Sequence, residues 1–207
     1  MGFASDVLFE VLVENDPEQV SEALSKDANA PAVADPLSFD AVGGKRDVAR
    51  SAISGLIERS EQAPEIIPLP RDAPYGHIQI DTAGCTLCLA CVGSCPANAL
   101  SDNPDRPQVA FTEAACVQCG LCAATCPENV ITLEARYNAG EGALRPAVLH
   151  EEEPATCTSC GKPFGTQSAI NRISERLSGK HWMFQRPEQI ALIGMCEDCR
   201  VAAQWTM

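Results

Sequence analysis

The sequence is short of positive charge, of long apolar runs and of catalytic signatures. Lysine and arginine number 15 against 28 aspartates and glutamates, for a formal net charge of −13. Nucleic-acid binding needs a basic face, so it is not expected. No apolar run approaches the length that spans a bilayer, so any membrane association is expected to come through a partner. The opening residues, MGFASDVLFEVLVENDPEQ, have no basic n-region, cleavage site or twin-arginine signal, and a cytoplasmic chain is expected. There is no glycine-rich dinucleotide fingerprint, flavin motif or nucleophile–base pair. The chain is therefore not expected to carry catalytic activity of its own.

What it does have is cysteine. All 12 fall in metal-type spacings, which fits a reducing compartment better than a disulfide framework. Eight form two runs, CTLCLACVGSCP and CVQCGLCAATCP. Cys85, Cys88, Cys91 and Cys95 precede Pro96, and Cys116, Cys119, Cys122 and Cys126 precede Pro127. The spacing C-x2-C-x2-C-x3-C-P occurs twice without deviation. Three thiolates two residues apart on a tight loop can wrap one iron–sulfur cube, whose four irons need four thiolates. Zinc is a poor match, because its sites take four ligands in separated pairs.

The flanks repeat too. Residues 80–102 align with residues 111–133 at an offset of 31, matching Ile80 to Phe111 and Ala99-Leu100 to Val130-Ile131. This predicts a pseudo-two-fold domain with both clusters inside it. Across residues 76–136 the chain resembles the bacterial two-4Fe–4S (dicluster) ferredoxins. In that arrangement the fourth cysteine of each run ligates the other cluster. The resemblance implies Cys85, Cys88, Cys91 and Cys126 on one cluster, and Cys116, Cys119, Cys122 and Cys95 on the other. Strands are expected at 77–81 and 99–102, paired with each other, and at 108–112 and 130–134, likewise paired. Residues 103–107 form the turn between the halves. Ile80, Leu87, Leu100, Phe111, Leu121, Val130 and Ile131 are the expected apolar shell. His77 reads as a strand-surface histidine.

A second metal candidate follows. Cys157-x2-Cys160-Gly161 and Cys196-x2-Cys199 are separated by 35 residues, and two such pairs can close a tetrahedral all-sulfur site. Gly161 suits the tight turn after the first pair. The arrangement resembles zinc-ribbon and treble-clef modules, with a knuckle at the first pair and a helix from Cys199 to Trp205 at the second. Structural zinc, a third iron–sulfur cluster, a dithiol relay and no metal remain open. A catalytic zinc is disfavoured, because four thiolates leave no open position. The intervening loop should hold a helix over 167–178, stopped by Gly179. His181 reads as packing or surface. The stretch His181-Trp182-Met183-Phe184 is expected as the module's small core, with partner docking as the alternative.

The N-terminal part reads as a strand over 6–14, a helix from Pro17 to about Lys26 capped by Asp16, and a helix over 47–60. Glu10, Glu14 and Asp16 read as solvated surface. The fold class is thus α+β. A small strand-helix-helix segment (1–63) and a Pro-rich linker (64–75) precede the ferredoxin-like domain (76–136). A connector (137–154) and a four-cysteine module (155–207) follow it.

The tail motifs CGKPF, GKHWMF and MCEDCR are similar to the C-terminal part of larger bacterial iron–sulfur proteins associated with molybdenum-dependent formate dehydrogenases. Those proteins are longer than this chain, and the unpaired first strand would suit a C-terminal portion of one. The resemblance implies electron transfer to or from a redox enzyme or carrier protein, as a carrier or wiring module. The alternatives are an iron–sulfur subunit whose catalysis lies on another chain, and an iron–sulfur redox sensor.

Overall fold

The computed structural model describes residues 16–25, 38, 40–59 and 64–205. The strand expected over 6–14 lies outside them. The chain divides into two compact units, Met1–Pro64 and Glu65–Met207.

In the first unit, Asp16 caps helix α1 (Pro17–Leu24) by accepting a 3.0 Å hydrogen bond from the Glu18 N–H. Proline at the first helical position costs nothing there, since its missing N–H would be unpaired anyway. Helix α2 (Lys45–Glu58) begins where the Asp47 carboxylate accepts from the Gly44 N–H at 2.8 Å. Neither helix contains a fully buried residue.

The second unit is built on antiparallel pairs. Strands β1 (Ile66–Pro68), β2 (Gly76–Ile80) and β5 (Ile131–Asn138) form one sheet in the order β1-β5-β2. Strands β3 (Leu100–Asn103), β4 (Arg106–Phe111) and β6 (Ala147–Glu151) form another in the order β3-β4-β6. The expected pairing is therefore corrected. The first strand does not pair with residues 99–102. It pairs with β5 of the second half, Ile78 opposite Leu133 and Ile80 opposite Ile131. β3 instead pairs with β4, Leu100 opposite Phe111, across the turn at Pro104-Asp105. A two-residue turn closes a hairpin locally, and the outer strands of the halves are left to find each other.

Two segments read as linkers also join these sheets. β5 outruns β2 by the three residues Arg136–Asn138, and these pair with β1 inside the supposed Pro-rich linker. β6, inside the supposed connector, covers the second side of β4. An open sheet edge invites foreign pairing, and β6 closes this one.

Ile78, Leu87, Leu100, Val109, Phe111 and Ile131 make up the buried centre, with Ile78 and Val109 only 1 % exposed. Cysteines 85, 91, 95, 122 and 126 pack against it. The core thus ends on sulfur: the apolar packing that holds the strands also walls the two cysteine loops.

Beyond β6, strands β7 (Pro154–Thr156) and β8 (Pro163–Thr166) make a hairpin. After the short helices α3 (Ala90–Gly93) and α4 (Leu121–Thr125) of the cysteine runs, helices α5 (Gln167–Leu177), α6 (Pro187–Ala191) and α7 (Glu197–Gln204) follow this hairpin, with 3-10 turns between them. Gly179 sits at φ +69°, a left-handed conformation available to glycine that ends the α5 region. No helix among the described residues is long and apolar enough to cross a membrane.

Candidate metal centres

The two cysteine runs fold alike. Each is an irregular loop leading into one short helix, α3 (Ala90–Gly93) in the first run and α4 (Leu121–Thr125) in the second. Leu87, Leu89 and Asn98 adopt positive φ, and so do Gln118, Gly120 and Asn129, each 31 residues later. Five of these six are not glycine. Left-handed backbone costs an L-residue about 1–2 kcal/mol, so the strain marks loops whose shape is imposed by what they surround. Such turns gather backbone N–H groups into a concave, anion-favouring nest.

Two apolar cavities lie behind the loops. The first is lined by Cys85, Cys88, Cys91 and Cys126, with Leu87, Val130 and Ile131 among its walls. The second is lined by Cys95, Cys116, Cys119 and Cys122, with Ile78, Leu100 and Phe111 among its walls. Each cavity therefore receives three cysteines of one run and the last cysteine of the other. Six of the seven expected shell residues are in place. Ile80 joins the first cavity, but Leu121 lines neither and is 46 % exposed. As the first residue of α4 it points off the loop.

The donor chemistry fits iron–sulfur clusters. Burial pushes the Cys91 thiol up to about 11 and raises those of Cys85 and Cys122. Four thiols converging on an apolar cavity ionise there only with a cation to balance them. Donors already point at the sulfurs. The Ala99 N–H lies 3.3 Å from the Cys95 Sγ, and the Gln118 side-chain amide lies 3.5 Å from the Cys116 Sγ. The same amide donates to the His77 carbonyl at 3.1 Å, tying the second loop to β2. Only the tertiary fold exposes this role of Gln118.

Beside the second loop lies a charged cluster. Arg136 grips the Glu113 carboxylate at 2.8 and 3.0 Å, and Asn138 adds a third donor at 3.0 Å. Burial works to raise the Glu113 carboxyl, but these bonds outweigh it and hold it below the usual range. His77 is half-buried, 3.5 Å from Glu113 and edge-on to Phe111. Burial and then the Arg136 charge lower its pKa. It is an inward-facing partner of this cluster rather than a surface residue.

The remaining four cysteines converge as a separate set. Cys157 and Cys160 sit in the β7–β8 turn, and Cys196 and Cys199 open α7. All four sulfurs lie within 4.8 Å of one another, and Cys160 and Cys196 are 3.8 Å apart. Gly161, at φ +75°, turns the chain out of the knuckle. The Cys196 N–H donates to the Cys157 Sγ at 3.2 Å. Backbone N–H bonds, from Cys160 first and then Cys196, lower the Cys157 thiol to about 6. These donors favour the charged form of this sulfur. The Thr158 N–H donates to the Gly194 carbonyl at 3.0 Å and pins the knuckle against the approach to α7.

The aromatic stretch is core only in part: Phe184 is half-buried and lines an apolar cavity with Leu177, Leu192 and Ile193. Trp182 is 78 % exposed, and His181 caps the turn by accepting from the Met183 N–H at 3.2 Å. Leu192, Ile193 and Ala155 are the module's fully buried apolar residues besides cysteine. Apolar burial here is supplied by the segment that carries the second cysteine pair.

The module is latched to the first cysteine loop. Thr166 caps α5 and donates at 2.9 Å to the Thr86 carbonyl, next to Cys85. Glu128, two residues after Cys126, accepts from Arg172 at 2.6 Å and from Arg176 at 3.0 Å. The Arg172 hydrogen bond, the largest influence, holds the Glu128 carboxyl below its ordinary range. Sequence periodicity carries no sign of these long-range ion pairs.

Loop strain, paired apolar cavities and converging thiols define an iron–sulfur protein. Residues 84–131 match the family model of a 4Fe-4S dicluster domain, and residues 115–164 match a second model of the same description. The chain carries a dicluster ferredoxin-like domain. The second match runs on through Cys157 and Cys160, which the fold joins to Cys196 and Cys199 instead. No curated protein matches the chain.

Proposed function

We propose that this chain moves electrons one at a time through two 4Fe–4S clusters, as a carrier or wiring module for a larger redox enzyme in the cytoplasm. Cys85, Cys88, Cys91 and Cys126 hold the first cluster, and Cys116, Cys119, Cys122 and Cys95 hold the second. One observation carries the reading: each apolar cavity is lined by three cysteines of one run and the last of the other. When bound, each cluster supplies a one-electron couple without bond making.

The chain's own residues set the conditions for that couple. Ile78, Leu87, Leu100, Phe111 and Ile131 form apolar walls to the two cavities. The Ala99 N–H and the Gln118 amide stabilise negative charge on Cys95 and Cys116. The net charge of −13 acts the other way, disfavouring an added electron and favouring a low potential. The partner enzyme is read from the short tail motifs as a formate dehydrogenase-type system.

Cys157, Cys160, Cys196 and Cys199 hold one structural zinc ion in this reading. A zinc–sulfur bond of about 2.3 Å in a tetrahedron sets sulfurs about 3.8 Å apart, the separation of Cys160 and Cys196. A cube places each thiolate on a different iron and would spread the sulfurs around its body.

Metal and sulfide analysis of anaerobically purified protein tests this. About eight iron, eight acid-labile sulfide and one zinc per chain are expected. About twelve iron without zinc would turn the C-terminal site into a third cluster, and iron without sulfide would end the cluster reading.

A further inference from the structure

A cavity of about 640 Å³ lies in the C-terminal module, and no cysteine lines it. Sites that hold small organic ligands measure about 300–1,000 Å³. Its walls come from β8, α5, the 3-10 turn Trp182–Phe184, the turn Leu192–Gly194 and α7. Walls from several segments make a pocket rather than a flat contact face. On α5, Ile170, Ile173 and Leu177 recur at helical spacing and line the cavity together. Arg172 and Arg176, on a different face of that helix, are tied to Glu128. Phe184, Leu192 and Ile193 also line the cavity.

The pocket is not sealed. Ile173, Met183 and Trp182 line it and are 45 %, 42 % and 78 % exposed. Apolar side chains gathered around one opening mark a binding site. One charged group lines it, Arg200. Its Nε donates to the Leu192 carbonyl at 3.1 Å and its Nη2 to the Met195 carbonyl at 3.0 Å. The two carbonyls fix the guanidinium at the pocket's edge, and neither cancels its charge. No carboxylate lines the pocket, and Arg200 makes no ion pair among the described residues. Asp198, two residues away, is instead 3.6 Å from Lys162.

We infer that this pocket binds a small apolar carboxylate, with the apolar body against Ile170, Ile173, Leu177 and Phe184 and the carboxylate on Arg200. The walls reward burial of hydrocarbon. A guanidinium held in place offers its remaining donors to a carboxylate as charge-assisted hydrogen bonds. The preference for an anion is local. A chain of net charge −13 repels anions and attracts cations over its surface as a whole. Binding at random apolar surface would therefore favour a cationic amphiphile, and binding at this pocket favours the anionic one. The site lies apart from both cluster cavities, and its ligand takes no part in electron transfer in this account.

The test uses the metal-loaded full chain, with dodecanoate and dodecyltrimethylammonium as probes in isothermal titration calorimetry below their micelle concentrations. One dodecanoate per chain is expected, bound at least about tenfold more tightly than the cation. Arg200→Gln should bring the two probes within about twofold of each other. Ile173→Asp puts a carboxylate into the wall without touching Arg200, and should weaken dodecanoate by more than about tenfold. Val201 is 55 % exposed on α7 and does not line the pocket, so Val201→Asp is the charge-matched control, with less than about a twofold effect. Metal content and circular dichroism matching the unaltered protein check that each variant is folded. Should Arg200→Gln fail that check, the comparison of Ile173→Asp with Val201→Asp decides. Tighter binding of the cation, unsaturable uptake of dodecanoate, no binding, or equal weakening by the two aspartate variants overturns the inference.

Discussion

Cys126→Ala removes about half of the iron, and the half it removes belongs to the other cysteine run. Cys126 is the last cysteine of the second run, yet it lines the first cavity with Cys85, Cys88 and Cys91. Its loss leaves that cavity with three thiols, while Cys95, Cys116, Cys119 and Cys122 keep a full set. A cube with an iron lacking its thiolate is prone to loss. Alkylation of the intact variant followed by peptide mapping reads the result. New labelling is expected at Cys85, Cys88 and Cys91, with Cys116, Cys119 and Cys122 protected. Labelling confined to the second run would mean that each run serves its own cluster.

The second large effect is at the four-cysteine site. Cys196 is 2 % exposed, caps α7 and faces Cys157 and Cys160. Structural zinc gives small modules apparent free energies on the order of 10 kcal/mol, comparable to the whole stability of a typical domain. On the structural-zinc proposal, Cys196→Ser, or treatment with a strong chelator, should therefore unfold the module rather than soften it. Hydrogen exchange is expected to lose its protection across residues 154–205. The sheets β1-β5-β2 and β3-β4-β6 should stay protected, because their packing centres on Ile78 and Val109. Retained protection without metal would mean that the cysteines act as a dithiol pair or are incidental. The latch adds a second readout. With α5 lost, Thr86 and Glu128 lose their partners, and exchange near Cys85 should rise.

Much of this architecture is legible in the spacing of a few residue types. The cysteine runs fix which backbone must curl, and the structure curls it with left-handed residues at 87, 89, 118 and 120. Asp16 before Pro17 marks a helix start, and Gly179 marks the end of the α5 region. The strand partners are not legible. A period-two pattern says that Ile78 and Ile80 face one way, but not whether β3 or β5 lies beside them. That choice is tertiary, and it crosses the halves as the cysteines do. Strands inside the Pro-rich linker and the connector were hidden for the same reason: Ile66-Ile67 and Ala147–Glu151 become strands only because β5 and β4 offer free edges.

The aromatic stretch misleads in the opposite direction. Its composition reads as core, yet Trp182 faces water and Phe184 is only half-buried, while Ile193 and Leu192 are buried. The Glu128–Arg172–Arg176 clasp spans more than forty residues of chain, and no local pattern announces it.

The claim at the centre of this account is that the chain takes up and releases electrons at two separate sites. An anaerobic reductive titration of the loaded protein, followed by electron paramagnetic resonance, tests it most directly. About two electrons per chain are expected, with signals from two reduced cubes close enough to couple. Uptake of one electron or none, with about eight irons bound, would contradict it.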